Sequence, residues 1–586
     1  MLKTLLEFGF VKRPRPLAEQ LAPGRPLILS RVADGMEGMV VADLARAVAA
    51  KKDAPWPSLM VVCRDGQRLA ALERGLAFFA PELEVHAFPS WDCLPYDRAS
   101  PNASIVARRM ATLARLARVK GGAASVLLTT VNATVQRVPA KGLVAAQSLS
   151  AAPGNAIALD GVVAWAEENG FLRTPTVRDT GEYAVRGGLI DLYPPGLDAP
   201  IRLDFFGDTL ESIRAFDPET QRTTGQLRAL ELVPMAEFQL TTATMKRFRM
   251  AYVAAFGAAR KGDGLYEAVS EGRRFPGMEH WLPLFHERMD TLFDYVEGTP
   301  LVLDPLTEEA AGERIAQISD YYDARKSALE EQAGGPIYNP LPPGQLYLEG
   351  PEWSARVGEA PIARMTPFVA PESAGQNAID LGGVHGRSFA AERADPEGNV
   401  FDAAVAHVRA LQKDKKVILA GWSEGSRERL GTVLADHGLT GAATISKFDS
   451  LAALPKTQAA LAVFGVEAGF ETPDFAVIGE QDILGDRLVR PKRKARRPQD
   501  VIAELTSLTA GDLVVHVDHG IGRFIGLKTI EAMGAPHDCL EIHYAEGSKL
   551  FLPVENLELL SRYGSEDTEA QLDRLGGGGW QARKAR

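Results

Sequence analysis

The residues of this chain best placed to do chemistry follow its first strand-like segment, Pro26-Leu27-Ile28-Leu29. There the chain reads Arg31-Val32-Ala33-Asp34-Gly35-Met36-Glu37-Gly38, in the place where a mononucleotide-binding fold carries G-x-x-x-x-G-K-[ST]. In that motif glycine amides cradle phosphate, a lysine neutralises it and a hydroxyl holds magnesium. Aligned on the strand and the helix-periodic stretch after it, the lysine position falls on Glu37 and the hydroxyl position on Gly38. Asp34 adds a second carboxylate, so a loop of Asp34, Gly35, Glu37 and Gly38 repels phosphate. No Gly-Lys-Thr or Gly-Lys-Ser occurs anywhere in the 586 residues. The expectation is a degenerate nucleotide loop, with no catalytic residue, metal or cofactor in this chain.

Two other groupings invite chemistry. Gly421-Trp422-Ser423-Glu424-Gly425 fits the G-x-S-x-G nucleophile elbow between a strand and a helix. A hydrolase would then need an acid and a histidine on later loops, whereas Asp436-His437 falls on the helix directly after the elbow. No H-G-G-G oxyanion segment precedes it, so hydrolysis is set aside. Four of the ten histidines, His516, His519, His537 and His543, cluster in the last part of the chain. Residues three apart on a strand face opposite ways, so His516 and His519 share a metal only if a turn intervenes, and they read as structural. Cys63, Cys93 and Cys539 are widely separated and form no C-x-x-C pair, which excludes a disulfide framework and a zinc ribbon.

The elements that position these residues belong to several domains, because 586 residues exceed what one core supports. A net charge of −11 excludes a surface built throughout for nucleic acid and leaves only a local basic patch possible. Apolar runs such as Leu59–Cys63 have the length of core strands, not membrane spans, and the amino terminus lacks a signal-peptide pattern. The chain reads as cytoplasmic. Strand, helix and strand patterns up to about Val131 predict α/β structure. Short strands broken at Pro194-Pro195-Gly196 and Gly207-Asp208 predict an inserted antiparallel meander. After the break at Gly334-Gly335-Pro336 the chain resumes α/β. Residues 487–497 hold seven basic residues and form either a solvated linker or a patch that touches DNA phosphates or an acidic surface by charge. Four or five short strands between Gly511 and Tyr563 predict a small barrel.

Longer motifs carry a family resemblance over nearly the whole chain. Phe88-Pro89-Ser90-Trp91-Asp92-Cys93-Leu94-Pro95-Tyr96-Asp97 resembles the W-x-x-L-P-Y-D stretch of bacterial transcription-repair coupling factors. Gly181-Glu182-Tyr183-Ala184-Val185-Arg186-Gly187-Gly188 and Arg202-Leu203-Asp204-Phe205-Phe206-Gly207-Asp208 resemble the insert domain those factors share with UvrB. Phe275-Pro276-Gly277-Met278-Glu279-His280-Trp281, Glu480-Gln481-Asp482-Ile483-Leu484-Gly485-Asp486 and His516-Val517-Asp518-His519-Gly520-Ile521-Gly522 continue the match.

The resemblance implies a multidomain α/β chain: a degenerate P-loop, RecA-like, UvrB-homology module with an inserted antiparallel β-rich domain, a further α/β domain and a small Tudor-like β-barrel. On it we expect the UvrB-like domain over residues 1–135 and 223–348, with the insert at 136–222. A third α/β domain of unclear role follows at 349–486, then a basic linker and helix at 487–506. The polymerase-interaction domain occupies 507–566, and 567–586 begin the connection to an ATP-driven DNA translocase that lies beyond this chain, where ATP and magnesium would be used. The implied partners are UvrA and the RNA polymerase β subunit. DNA is engaged mainly through the translocase and weakly, if at all, through residues 487–497. Arg173 and Arg186 match UvrA-contacting positions, while a neighbouring arginine of UvrB falls here on Ala184. The last domain resembles that of the CarD regulators, which docks a strand on the polymerase; Ile530 is the implied anchor, with Leu527 and Arg523 in support. The other reading is a nucleic-acid-dependent ATPase of the UvrB type.

Overall fold

The computed structural model describes residues 17–51, 53–119, 121–330, 337–370, 377–396, 398–485, 511, 513–516, 519–532, 535–553, 560–562 and 572. The chain divides into two compact units, Met1–Arg487 and Leu488–Arg586.

The larger unit starts as an open α/β lobe. Strands β1 (Leu27–Ser30), β2 (Leu59–Cys63), β3 (Glu84–Phe88) and β4 (Ser125–Thr130) alternate with helices α1 (Glu37–Ala49), α2 (Gly66–Phe79) and α3 (Ala103–Arg118). Every residue of β2 and β4 is buried. Strands buried along their whole length, with β2 a continuous apolar run, suit a parallel sheet covered on both faces. Asp65 caps α2, its carboxylate accepting the Arg68 amide at 2.8 Å.

The chain then leaves this lobe for a six-stranded sheet: β5 (Leu172–Arg173), β6 (Glu182–Arg186), β7 (Leu189–Leu192), β8 (Ile201–Phe206), β9 (Thr209–Phe216) and β10 (Thr223–Leu227). Its order is β10-β9-β8-β7-β6-β5, antiparallel except for the β5–β6 pair. Leu149–Ala151 pairs with Leu230–Leu232 and closes the base of the insertion. That pairing frames residues 149–232. Val138-Pro139, inside the expected span, pairs with Met289-Asp290 outside the insertion.

A buried charge ties the end of the insertion to the first lobe. Arg109 of α3 is fully buried, lies 4.2 Å over the Phe88 ring and places Nε 2.6 Å from Glu237 Oε1. Trp91 donates to the same carboxylate oxygen at 3.0 Å. Tyr96 is likewise buried and donates to the Leu341 carbonyl at 2.9 Å, so both aromatic residues of the W-x-x-L-P-Y-D segment are core.

Beyond the insertion, β11 (Leu301–Leu303), helix α4 (Thr307–Glu330), β12 (Ile362–Met365) and β13 (Asn377–Asp380) return to the first lobe. The completed sheet has the order β13-β1-β12-β11-β2-β4-β3 and is parallel throughout. Strands β12 and β13 flank β1 on either side.

A second α/β lobe completes the unit. It contains β14 (Val384–His385), helix α5 (Val400–Leu411), β15 (Lys416–Gly421), helix α6 (Glu424–Asp436), β16 (Ala443–Ile445), β17 (Ala460–Val463), β18 (Phe470–Glu471) and β19 (Phe475–Gly479). Their order is β14-β18-β19-β15-β17-β16, parallel from β19 to β16. Among the described residues no helix is long and apolar enough to cross a membrane.

The smaller unit holds a five-stranded antiparallel sheet of β20 (Leu513–His516), β21 (Gly520–Ala532), β22 (Ala535–His543), β23 (Lys549–Pro553) and β24 (Leu560–Arg562), ordered β23-β22-β21-β20-β24. Its outer strands β23 and β24 do not pair with each other among the described residues, so the expected barrel is described here as a sheet. The basic run at 487–497 lies outside the described residues.

Candidate functional site

The turn after β1 borders a cleft whose polar groups are paired by side chains of this chain. Gly35 has φ +91°, and its amide donates to Glu37 Oε2 at 2.7 Å. The other oxygen of Glu37 accepts Arg68 Nη2. Arg68 also reaches Asp34 Oδ1 at 2.8 Å and Asp304 Oδ1 at 2.7 Å. One guanidinium thus satisfies three carboxylates, in the planar multi-donor geometry that only arginine offers. Burial pushes the Glu37 carboxyl up to about 7, against the pull of Arg68. Burial works against the charge of Arg68 too, yet the Asp304 hydrogen bond and the fields of Glu37 and Asp34 hold it firmly protonated.

Gly38 has a packing reason of its own. A Cβ built there would stand 2.6 Å from the Gly75 carbonyl carbon, so α1 and α2 approach backbone to backbone. Sequence reasoning found Asp34, Gly35, Glu37 and Gly38 but missed Arg68 and Asp304. Nothing local signals either: Arg68 follows an N-cap, and Asp304 follows a strand 236 residues later. The cleft keeps a cavity of about 240 Å³ lined by Asp34, Arg64, Arg68, Asp304, Phe464 and Glu467, among others.

The G-x-S-x-G segment is a helix cap. Ser423 is the N-cap of α6, accepting the Ser426 amide at 3.2 Å, while the Ser426 hydroxyl accepts the Ser423 amide at 2.9 Å. His437 caps the far end of this 13-residue helix, roughly 20 Å away at helical rise, and contacts Asp402 Oδ1 at 2.7 Å. Ser423 has no base. His516, the last residue of β20, and His519, just before β21, stack with ring centroids 4.5 Å apart. Among the described residues no group of three His, Cys, Asp or Glu is arranged to hold a metal ion.

On the insert sheet, Arg173 ends edge strand β5 and Arg186 ends its neighbour β6; both are exposed. Arg186 Nη2 donates to the Pro175 carbonyl at 2.7 Å and to Thr176 Oγ1 at 3.1 Å, which braces the loop leaving Arg173. Ala184 is buried in a cluster with Val177 and Phe216. The exposed apolar residues Leu172 (66%) and Phe206 (77%) on the same sheet were not singled out from sequence, since alternation alone reads them as ordinary strand residues.

In the smaller unit, Arg523 is exposed and donates to the Gly511 carbonyl at 3.2 Å. Leu527 pairs with Leu540 and Ile530 with His537 in the β21–β22 ladder; the side chains of Leu527 and Ile530 lie outside the described residues. β20 covers β21 only from Gly520 to Arg523, so among the described residues the β21 backbone beyond Phe524 is paired on one side alone.

Comparison with known proteins follows the same layout. Residues 149–238 match the UvrB interaction domain, residues 411–483 the MFD, D3 domain, and residues 508–564 the CarD-like/TRCF RID domain. Transcription-repair-coupling factors from Rickettsia bellii and Haemophilus influenzae are each 31% identical, over 90% and 89% of this chain and 45% and 44% of their own lengths. The Escherichia coli factor is 30% identical over 94% of this chain and 46% of its own length. The chain spans just under half the length of these relatives. With three domain matches in this order and relatives aligned over some nine-tenths of its residues, the chain belongs to the transcription-repair-coupling factor family and corresponds to the amino-terminal part of its members.

Proposed function

We propose that this chain is a docking scaffold of transcription-coupled repair: the insert sheet recruits UvrA, the last sheet binds the β subunit of RNA polymerase, and the cleft after β1 binds no nucleotide. The observation that carries the reading is the coincidence of interaction-domain matches with open binding features on two separate sheets. On the insert, Arg173 of edge strand β5 and Arg186 of its neighbour β6 are both exposed, and their guanidinium groups suit charge-assisted pairing with carboxylates, although Arg186 Nη2 is already held by Pro175 and Thr176. On the last sheet, the one-sided stretch of β21 beyond Phe524 offers main-chain donors and acceptors for strand augmentation, with Ile530 as the apolar anchor and Leu527 and Arg523 beside it. A scaffold without its own catalysis agrees with a Gly35 amide already taken by Glu37.

In the whole protein, polymerase engagement by this sheet would let an ATP-driven DNA translocase act on a stalled polymerase while UvrA is brought to the damage. Co-purification with RNA polymerase and with UvrA tests both arms. Arg173→Ala with Arg186→Ala should abolish UvrA capture and spare the polymerase, and Ile530→Arg should do the reverse. UvrA capture undiminished by the double substitution, or polymerase binding retained by a folded Ile530→Arg chain, refutes the corresponding arm.

A further inference from the structure

The wall of the cleft opposite α1 comes from the second α/β lobe. A Cβ on Gly35 would stand 2.6 Å from Val466 Cγ2 and 3.1 Å from the Phe470 ring, so the loop after β17 is seated directly on the turn after β1. Arg74 of α2 crosses the same boundary: its Nε donates to the Gly465 carbonyl at 3.0 Å, and its guanidinium lies 4.8 Å from the Trp422 ring. Beneath them Phe78 stacks on Phe464 with centroids 4.8 Å apart and 10° between planes, and Phe79 meets Phe448 edge-on at 5.0 Å. A single buried cluster runs from Val40 and Leu44 of α1, through Leu76 of α2, to Ile418, Phe475 and Val477 of the second lobe. Helix α2 is therefore enclosed on both sides, which an amphipathic surface helix with one apolar stripe is not.

Open parallel sheets take their ligands in the crevice beyond the carboxyl ends of their strands, and that crevice must stay accessible to work. Here the second lobe walls it from within the chain and narrows it to the cavity of about 240 Å³. We propose that the second α/β lobe is the permanent wall of this cleft: Val466 packs on the turn at Gly35, and the shared core makes the first and second lobes one cooperatively opening body, separate from the insert sheet. That assigns a role to residues 411–483, and it stands whether or not the insert binds UvrA.

Amide hydrogen exchange on the full chain tests it, comparing the wild type with Val466→Ala and with the milder Phe464→Leu. The expected result is a rise of at least tenfold in exchange at α1 (Glu37–Ala49) and at β15 and β19 together, with β8 and β9 of the insert unchanged. Faster exchange confined to β15 and β19, with α1 still protected, overturns the proposal, as does unchanged exchange in both. A rise that includes β8 and β9 equally also overturns it, since the two lobes would then not open as a body of their own. Phe464→Leu keeps the test decisive if Val466→Ala impairs folding, because it removes only the ring stacked on Phe78.

Discussion

Arg68 Nη2 stands 2.7 Å from Asp304 Oδ1, although 236 positions separate the two residues. The contact joins the start of α2 to the end of β11 and draws Asp34 and Glu37 onto the same guanidinium. Three carboxylates that would repel one another are thereby held in one place.

Removing Arg68 should be costly. Arg68→Ala leaves Glu37 and Asp304 buried without a counter-charge and should lower unfolding stability by about 3 kcal/mol, read as a shifted denaturant midpoint. Arg68→Lys should restore only part of the loss, because a single ammonium cannot serve three carboxylates in the forked geometry.

The cleft should bind no nucleotide. Titration of the chain with MgATP, followed by calorimetry, is expected to give no saturable heat, since Glu37 already takes the Gly35 amide and Asp34 lies beside it. Saturable binding would restore the ATPase reading.

Ser423→Ala should remove a helix cap and nothing else. The expected loss is about 1 kcal/mol, with the wild-type serine unlabelled by a fluorophosphonate probe. Labelling at Ser423 would contradict the capping role.

Acid should weaken the fold through His280. It is buried against the Trp91 ring, and burial lowers its imidazole to about 4 from an ordinary 6.5. The folded value lies below the unfolded one, so this contribution is complete above 6.5 and is lost as pH falls toward 4. Over that window it amounts to about 3 kcal/mol. Urea midpoints measured from pH 7.5 to 4 should fall less steeply for His280→Gln than for the wild type.

What the sequence determined is mainly local. The buried runs of β2 and β4, the acidic loop at Asp34 and Glu37, and the strand-rich end of the chain were all legible, because periodicity and loop chemistry act over a few residues. The family motifs likewise stand as contiguous segments. Tertiary structure alone decided the rest. Parallel pairing set β12 and β13 on either side of β1, since parallel strands meet only through long crossovers that no local pattern marks. At the cleft, the sequence showed repulsion, and only the fold could bring Arg68, Asp304 and Val466 to it, because ion-pair partners and packing contacts are chosen by the shape of the whole body.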